Sequence, residues 1–294
     1  MQQHRLLVGA LFIVAAEFMF ALMGASIRQV SEDLNNGMVV FARNLVGLAL
    51  LSSLVIHPAH RGLHTRVPHL HLVRGLAGLG AMYCFFYAIA HMPLANAMLL
   101  KLTAPLFIPL VALFWLQERF TWHVVLALAV GFSGVTVILI PDFSQMAPVA
   151  MVALLGGALA AVAKVTVRKL SATEPATRIV FYFSAIGTIA SLVPLIWLWQ
   201  VPTGEQVLWL LLLGTFATGG QILLTRGMAC APAARLGPFA FFSVVFAAAL
   251  GWLFWEEVLG WPTIVGTLLV LMSAVLAGRG MPHTSAIPVA VSAR

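Results

Sequence analysis

The chain has 294 residues, 62% of them hydrophobic and only 9% charged, with a mean hydropathy of +1.02 and a formal net charge of +7. A soluble domain carries about 25% charged residues, so this composition excludes a molecule solvated on every side and makes lipid the main solvent. The positive balance therefore bears on membrane orientation and not on nucleic acid.

A bilayer span takes about 20 apolar residues as a helix, and the apolar runs here are continuous, not alternating, which selects helices over strands. Ten are predicted. Helix 1 (6–27) carries Glu17 near its centre and has no small-residue cleavage site before Arg28, so it reads as a retained span. After "EDLNNG", helix 2 (37–56) contains Arg43. The loop "HPAHRGLHTRVPHLH" holds five of the nine histidines, but His57, His60 and His64 are not at metal-ligand spacing, so it reads as a solvated basic loop near anionic lipid. Helix 3 (71–90) carries "MYCFFYA", in which Tyr83 and Tyr87 share a face and Gly75 and Gly80 allow close packing. "HMP" then forces a tight hairpin into helix 4 (94–116), with Lys101 in "LLKLTAP" and two kinking prolines, Pro105 and Pro109.

Helix 5 (121–140) follows "QERFT", and helix 6 (148–167) follows "PDFSQMAP", with Lys164 towards its end. Helix 7 (177–199) and helix 8 (206–229) come next. Helix 8 has a polar face of Thr218, Gln221 and Thr225, and Arg226 beside it. Helix 9 (233–255) opens on "GPFAFFS", with Pro238, Phe239 and Phe242, and helix 10 (261–278) follows "EEVLGWP". The two cysteines form neither a metal spacing nor a disulfide framework.

If the amino terminus is cytoplasmic, that side collects Arg5, Arg61, Arg66, Arg74, Arg119, Arg168, Lys169, Arg178, Arg279 and Arg294, against only Arg28 opposite. This asymmetry, with an even helix count, predicts that both termini are cytoplasmic.

An internal repeat organises the chain. Glu118 and Glu257 lie 139 positions apart, as do Trp122 and Trp261, Gly75 and Gly214, Gly80 and Gly219, and Pro93 and Pro232. Earlier in each half the offset is 140, where "SIRQVS" meets "TVRKLS" and "VVF" meets "IVF". The predicted units are 1–142 and 143–280, each of five helices, with 281–294 as a disordered cytoplasmic tail. Five is odd, so the second unit inserts upside down. An inverted repeat is the architecture of alternating-access carriers. Glu118 and Glu257 each precede the first turn of a helix, where a carboxylate contributes about 0.3–1 kcal/mol. This structural reading is preferred to a gate or proton site.

"TAPLFIPLVALFWLQERFTW" with "GFSGV", and "SVVFAAALGWLFWEEVLGWPTIVG", resemble the paired domains of the EamA branch of the drug/metabolite transporter superfamily. Gly251, Trp252, Glu257 and Gly266 carry the second match, while Ala127 stands where the first half would have glycine. The resemblance implies an all-α integral membrane protein of ten helices in two inverted five-helix repeats, with export of small organic solutes. Aromatic amino-acid exporters are among such proteins.

A charge at mid-bilayer costs about 2.5–3.5 kcal/mol and usually faces a cavity or a partner. Glu17, Lys164 and Arg43 are the coupling or ion-pair candidates, with Glu17 expected to meet Lys101 or Lys164 either structurally or in substrate and proton handling. Lys101 is the foremost candidate for a substrate carboxylate. Tyr83, Tyr87, Gln221, Arg226 and Phe242 complete the expected binding set, although the aromatics also suit plain packing and Arg226 a snorkelling position.

The expected function is secondary export of amino acids with aromatic or apolar side chains from a bacterial inner membrane. Helices 1, 3, 4, 6, 8 and 9 line the cavity, and helices 5 and 10 are peripheral and available for a homodimer. No cofactor, metal or catalytic set is expected. Rival readings are organic-cation efflux, which prefers unpaired carboxylates, and nucleotide-sugar or phosphate-ester carriage, which wants a tighter basic cluster. Outside transport stand an intramembrane enzyme and a helical scaffold.

Overall fold

The computed structural model describes residues 2–55, 63–104, 107, 110–111, 122–139, 143–170, 173–230, 239, 242–258 and 260–280. Among these residues there is no strand. The helices are α1 (Gln2–Val30), α2 (Asn36–Val55), α3 (Pro68–His91), α4 (Leu94–Lys101), α5 (Trp122–Leu139), α6 (Phe143–Leu170), α7 (Ala176–Leu198), α8 (Gly204–Cys230), α9 (Phe242–Trp255) and α10 (Trp261–Gly280). Five contain apolar stretches long enough to cross a membrane: Leu7–Val30, Pro68–His91, Pro148–Val167, Thr177–Leu198 and Gly204–Leu224.

Local chemistry starts several of these helices. Asn35 Oδ1 accepts the Met38 N–H at 3.0 Å and caps α2. Thr203 and Gln206 form a reciprocal capping box at the head of α8, with bonds of 2.9 and 3.3 Å. Pro68 occupies the first turn of α3, where its missing N–H has no consequence.

The packing has two-fold symmetry. Exchanging each helix of the first five for its counterpart in the second preserves the main pairings: α1 on α8 matches α6 on α3, α2 on α8 matches α7 on α3, and α1 on α9 matches α6 on α4. The pairs α2–α7, α4–α9 and α5–α10 map onto themselves. Individual residues obey the same operation. A Cβ on Gly75 would lie 2.6 Å from Ile186, and one on Gly214 would lie 2.5 Å from Val46. Likewise Gly187 has Asn44 against it, while Gly47 has Ser184. Gly75 with Gly214, Val46 with Ile186, Gly47 with Gly187 and Asn44 with Ser184 are all repeat mates.

The helix ends fall on two opposite faces. On the first, Asn35 between α1 and α2 bonds Leu198 O and Gln200 between α7 and α8. Arg28 bonds Met92 O between α3 and α4, and Glu257 between α9 and α10 bonds Leu94. The other face carries the amino terminus. There Thr65, between α2 and α3, donates to Glu174 Oε1 at 2.7 Å, and Tyr182 reaches Leu63 O. The α1–α2 turn and its mate, the α6–α7 turn, therefore lie on opposite faces, as inversion requires.

Two expectations change. Helix 4 is not continuous from 94: α4 stops at Lys101, Leu102 and Thr103 form a turn, and helical geometry resumes at Ala104. Residues 143–147, expected as a break, are helical, with Pro148 inside α6. The expected start of helix 9 at 233 lies outside the described residues, and its described helical stretch is Phe242–Trp255. Pro105, Pro109, Pro238, Glu118, Thr121 and the segment 281–294 lie outside the described residues.

Candidate functional site

Glu17 on α1 is 5% exposed and lies 3.7 Å from Lys101 Nζ at the end of α4. Lys101 Nζ is also 4.6 Å from the Phe20 ring centroid and 5.6 Å from that of Phe85. The ammonium thus sits between one carboxylate and two aromatic faces. The helix breaks at this point: Leu102 N–H turns back to Leu99 O at 2.9 Å and Thr103 N–H to Leu100 O at 3.0 Å, while the Thr103 hydroxyl also donates to Leu100 O. A broken helix with a charge at its interruption is a recurrent transporter binding device.

Lys164, on α6 of the other half, is exposed and within electrostatic range of Glu17, Lys101 and Arg74. Arg74 in turn interacts with Arg43. These two guanidinium groups lie against one ring, with Arg74 4.1 Å and Arg43 5.2 Å from the Phe183 centroid. Gly78 makes room for this arrangement, because a Cβ there would meet both Arg74 and Phe183. Arg43 is 5% exposed and spends one donor on Asn44 Oδ1 at 3.1 Å. Arg74 Nε is buried with no hydrogen-bond partner.

The result is a chain of four cations and one carboxylate through the middle of the helices. A cation–π contact contributes about 0.5–2 kcal/mol, whereas removing a charged group from water costs several. Phe183 therefore does not offset the burial of two guanidinium groups. Fold symmetry does not account for them either, since the repeat mates of Glu17, Arg43, Arg74, Lys101 and Lys164 are Gly157, Phe183, Leu213, Ala240 and Gly24.

At the first face another group ties helix ends together. Arg28 and Glu257 pair at 3.1 Å; Glu257 Oε2 accepts the Leu94 N–H at 2.9 Å, and Arg28 donates to Met92 O at 2.6 Å and lies over Trp255. Glu256 at φ 54° turns the chain so that Glu257 folds back over Gly251, where a side chain would meet its carboxylate. Glu257 therefore caps α4, 163 residues away, and not the following helix α10 as the sequence suggested.

Of the expected site residues, Glu17 and Lys101 pair, Lys164 lies within their electrostatic range, and Arg43 is linked to it electrostatically through Arg74. Tyr83 and Tyr87 pack against the core on the side of α3 away from Phe85; Tyr87 stacks on His91 with centroids 4.1 Å apart. Gln221 is half-buried beside Gly220, which abuts Phe20. Arg226 is exposed, and Phe242 is 41% exposed with its ring against Phe246. Arg74, Phe183, Phe20 and Phe85 were missed. Arg74 had been counted among the flanking charges, but Pro68 at the first turn starts α3 early enough to carry it inside.

Two inverted five-helix units, clamped at one face and lined with charge at their seam, define a carrier of small molecules. The chain belongs to the EamA-like transporter family, whose model matches residues 7–140 and 147–279. It is a small-metabolite transporter of the drug/metabolite superfamily and not an enzyme. It is 35% identical over 274 residues to the pseudopaline exporter CntI of Pseudomonas aeruginosa, covering 92% of this chain and 96% of the relative. The S-adenosylmethionine uptake transporter of Rickettsia prowazekii is 23% identical, covering 86% and 88% respectively. A crystal structure sharing 19% identity superposes with a TM-score of 0.65 over 94% of this chain and 96% of the other, which shows a common fold.

Proposed function

We propose that the protein exports a small amino-acid-type metabolite across a bacterial inner membrane by alternating access, with Lys101 and Lys164 holding its carboxylate. An apolar or aromatic side chain of the solute rests on Phe20 and Phe85. The observation that carries this reading is the pairing of Lys101, from the first half, with Glu17 at the break in α4, within electrostatic range of Lys164 from the second half. A ligand held by both halves is released when the halves rock apart. The first face is clamped while Lys164, near the other end, is exposed, which corresponds to access from the amino-terminal face. The Lys and Arg distribution supports a cytoplasmic position for that face. Export is supported by the 35% identical relative, itself an exporter, although the Rickettsia relative works as an uptake transporter. Organic-cation efflux is disfavoured because Glu17 is already paired with Lys101. The outer faces of α5 and α10, where Trp122 and Trp261 are 68% and 77% exposed, are left for lipid or a second copy of the chain.

Counterflow in proteoliposomes tests this, with a panel of amino acids, sugars and organic cations, with and without a pH gradient. Amino acids are expected to exchange, and Lys101→Ala to lower their flux at least ten-fold. Exchange confined to cations or sugars and indifferent to Lys101 would overturn the reading.

A further inference from the structure

We propose that Arg43 and Arg74, both stacked on Phe183, form a second anion subsite, so that the transported solute carries two separated acidic groups. This rests on the carrier reading above and adds a substrate class to it. Lys101 and Lys164 take one acidic group, the rings of Phe20 and Phe85 cover the body of the solute, and the two arginines receive the far end.

The placement of charge argues for it. Glu17 answers Lys101 and acts on Lys164, but no carboxylate among the described residues pairs with Arg43 or Arg74. These two groups act unfavourably on one another, and Arg74 also acts unfavourably on Lys164. A protein that needed only a planar cation to pack on Phe183 would place one there. Two guanidinium groups on one ring, with Arg74 Nε buried and unbonded, leave donors in the planar fork that matches a carboxylate or phosphate oxygen pair. Asn44 and Gly78 keep the groups in place: Asn44 Oδ1 orients Arg43, its own amide being tied to Val40 O, and Gly78 leaves the space Arg74 occupies. The symmetry points the same way. Arg43 and Phe183 are repeat mates in contact with one another, so the site breaks the two-fold where the framework obeys it.

The test uses the full chain, purified in detergent, with α,ω-dicarboxylates of four to eight carbons and the monocarboxylates of matching length as probes, read by thermal stabilisation. At least one dicarboxylate is expected to stabilise the protein at a concentration ten-fold or more below its monocarboxylate. Arg74→Gln and Arg43→Gln are expected to erase that difference, Arg74→Lys to restore part of it, and Lys101→Ala to weaken both classes. Folding of each variant is checked by its elution as a single species. If no dicarboxylate outperforms its monocarboxylate, or if Arg74→Gln preserves the preference, the second subsite is wrong. A loss on Lys101→Ala would then still uphold the first. Indifference to Lys101 as well would remove both.

Discussion

Glu257 does at one residue what several elements depend on. Its carboxylate satisfies the first free N–H of α4, neutralises Arg28 and lies over Gly251, so α1, α4 and α9 meet at one side chain. Hydrogen bonds to a charged group contribute about 1.5–3 kcal/mol, and Glu257→Ala is expected to cost that much in chemical unfolding. Glu257→Gln keeps a neutral acceptor but loses the ion pair. It should loosen the first face, seen as several-fold faster labelling of an Asn96→Cys reporter by an impermeant maleimide. Gly78 supports the opposite expectation for stability. Alanine there favours the helix by about 0.5–1 kcal/mol, yet its Cβ displaces Arg74 and the edge of Phe183. Gly78→Ala should fold normally and raise the half-saturating concentration of any dicarboxylate, read by the same thermal assay.

Among elements, helix crossings depend on small residues, because lipid gives no hydrophobic force to press helices together. Gly75 lets α3 lie on Ile186 of α7, and Gly214 lets α8 lie on Val46 of α2. The partners are β-branched and stiff, so they cannot yield by changing rotamer. Gly75→Ala and Gly214→Ala are each expected to destabilise by about 1–3 kcal/mol, measurable by thermal unfolding in detergent. The α6–α7 turn is tied to the α2–α3 connection electrostatically. Burial tends to raise the Glu174 carboxyl, but bonds from Thr65 and Arg178, with the charges of Arg178 and His71, outweigh it and hold the group below the usual 4.5. A depressed carboxylate stabilises fully above its unfolded value and loses that effect as pH falls through the folded value. The stability gap between wild type and Glu174→Gln should therefore be present at neutral pH and close in more acidic buffer, as denaturant titrations would show.

At the scale of the molecule, the framework is symmetric and the chemistry is not. The two-fold equates α1 with α6 and α3 with α8, while the five charges of the candidate site have uncharged mates. This separation between a symmetric scaffold and an asymmetric site suits a carrier whose halves exchange roles around one solute. Tags on the Asp33–Asn35 and Thr203 turns should report the same side of the membrane, and a tag at Thr65 the other. All three on one side would overturn the inversion.

The helix count, the repeat and its odd number of helices per unit were legible in the amino-acid order, because a span must be apolar throughout and because mates such as Gly75 and Gly214 keep their spacing. Glu17 and Lys101 were recognisable for the same reason: a charge within a span is expensive enough to demand a partner. What the order of residues could not disclose was which groups share a space when they are far apart in the chain. Arg74 looked like a flank, Phe183 gave no signal and Glu257 looked like the cap of its own next helix, until folding brought α3, α7 and α4 together. Hydropathy reports how deep a residue lies, whereas direction around a helix and contact across the two-fold are set by packing alone.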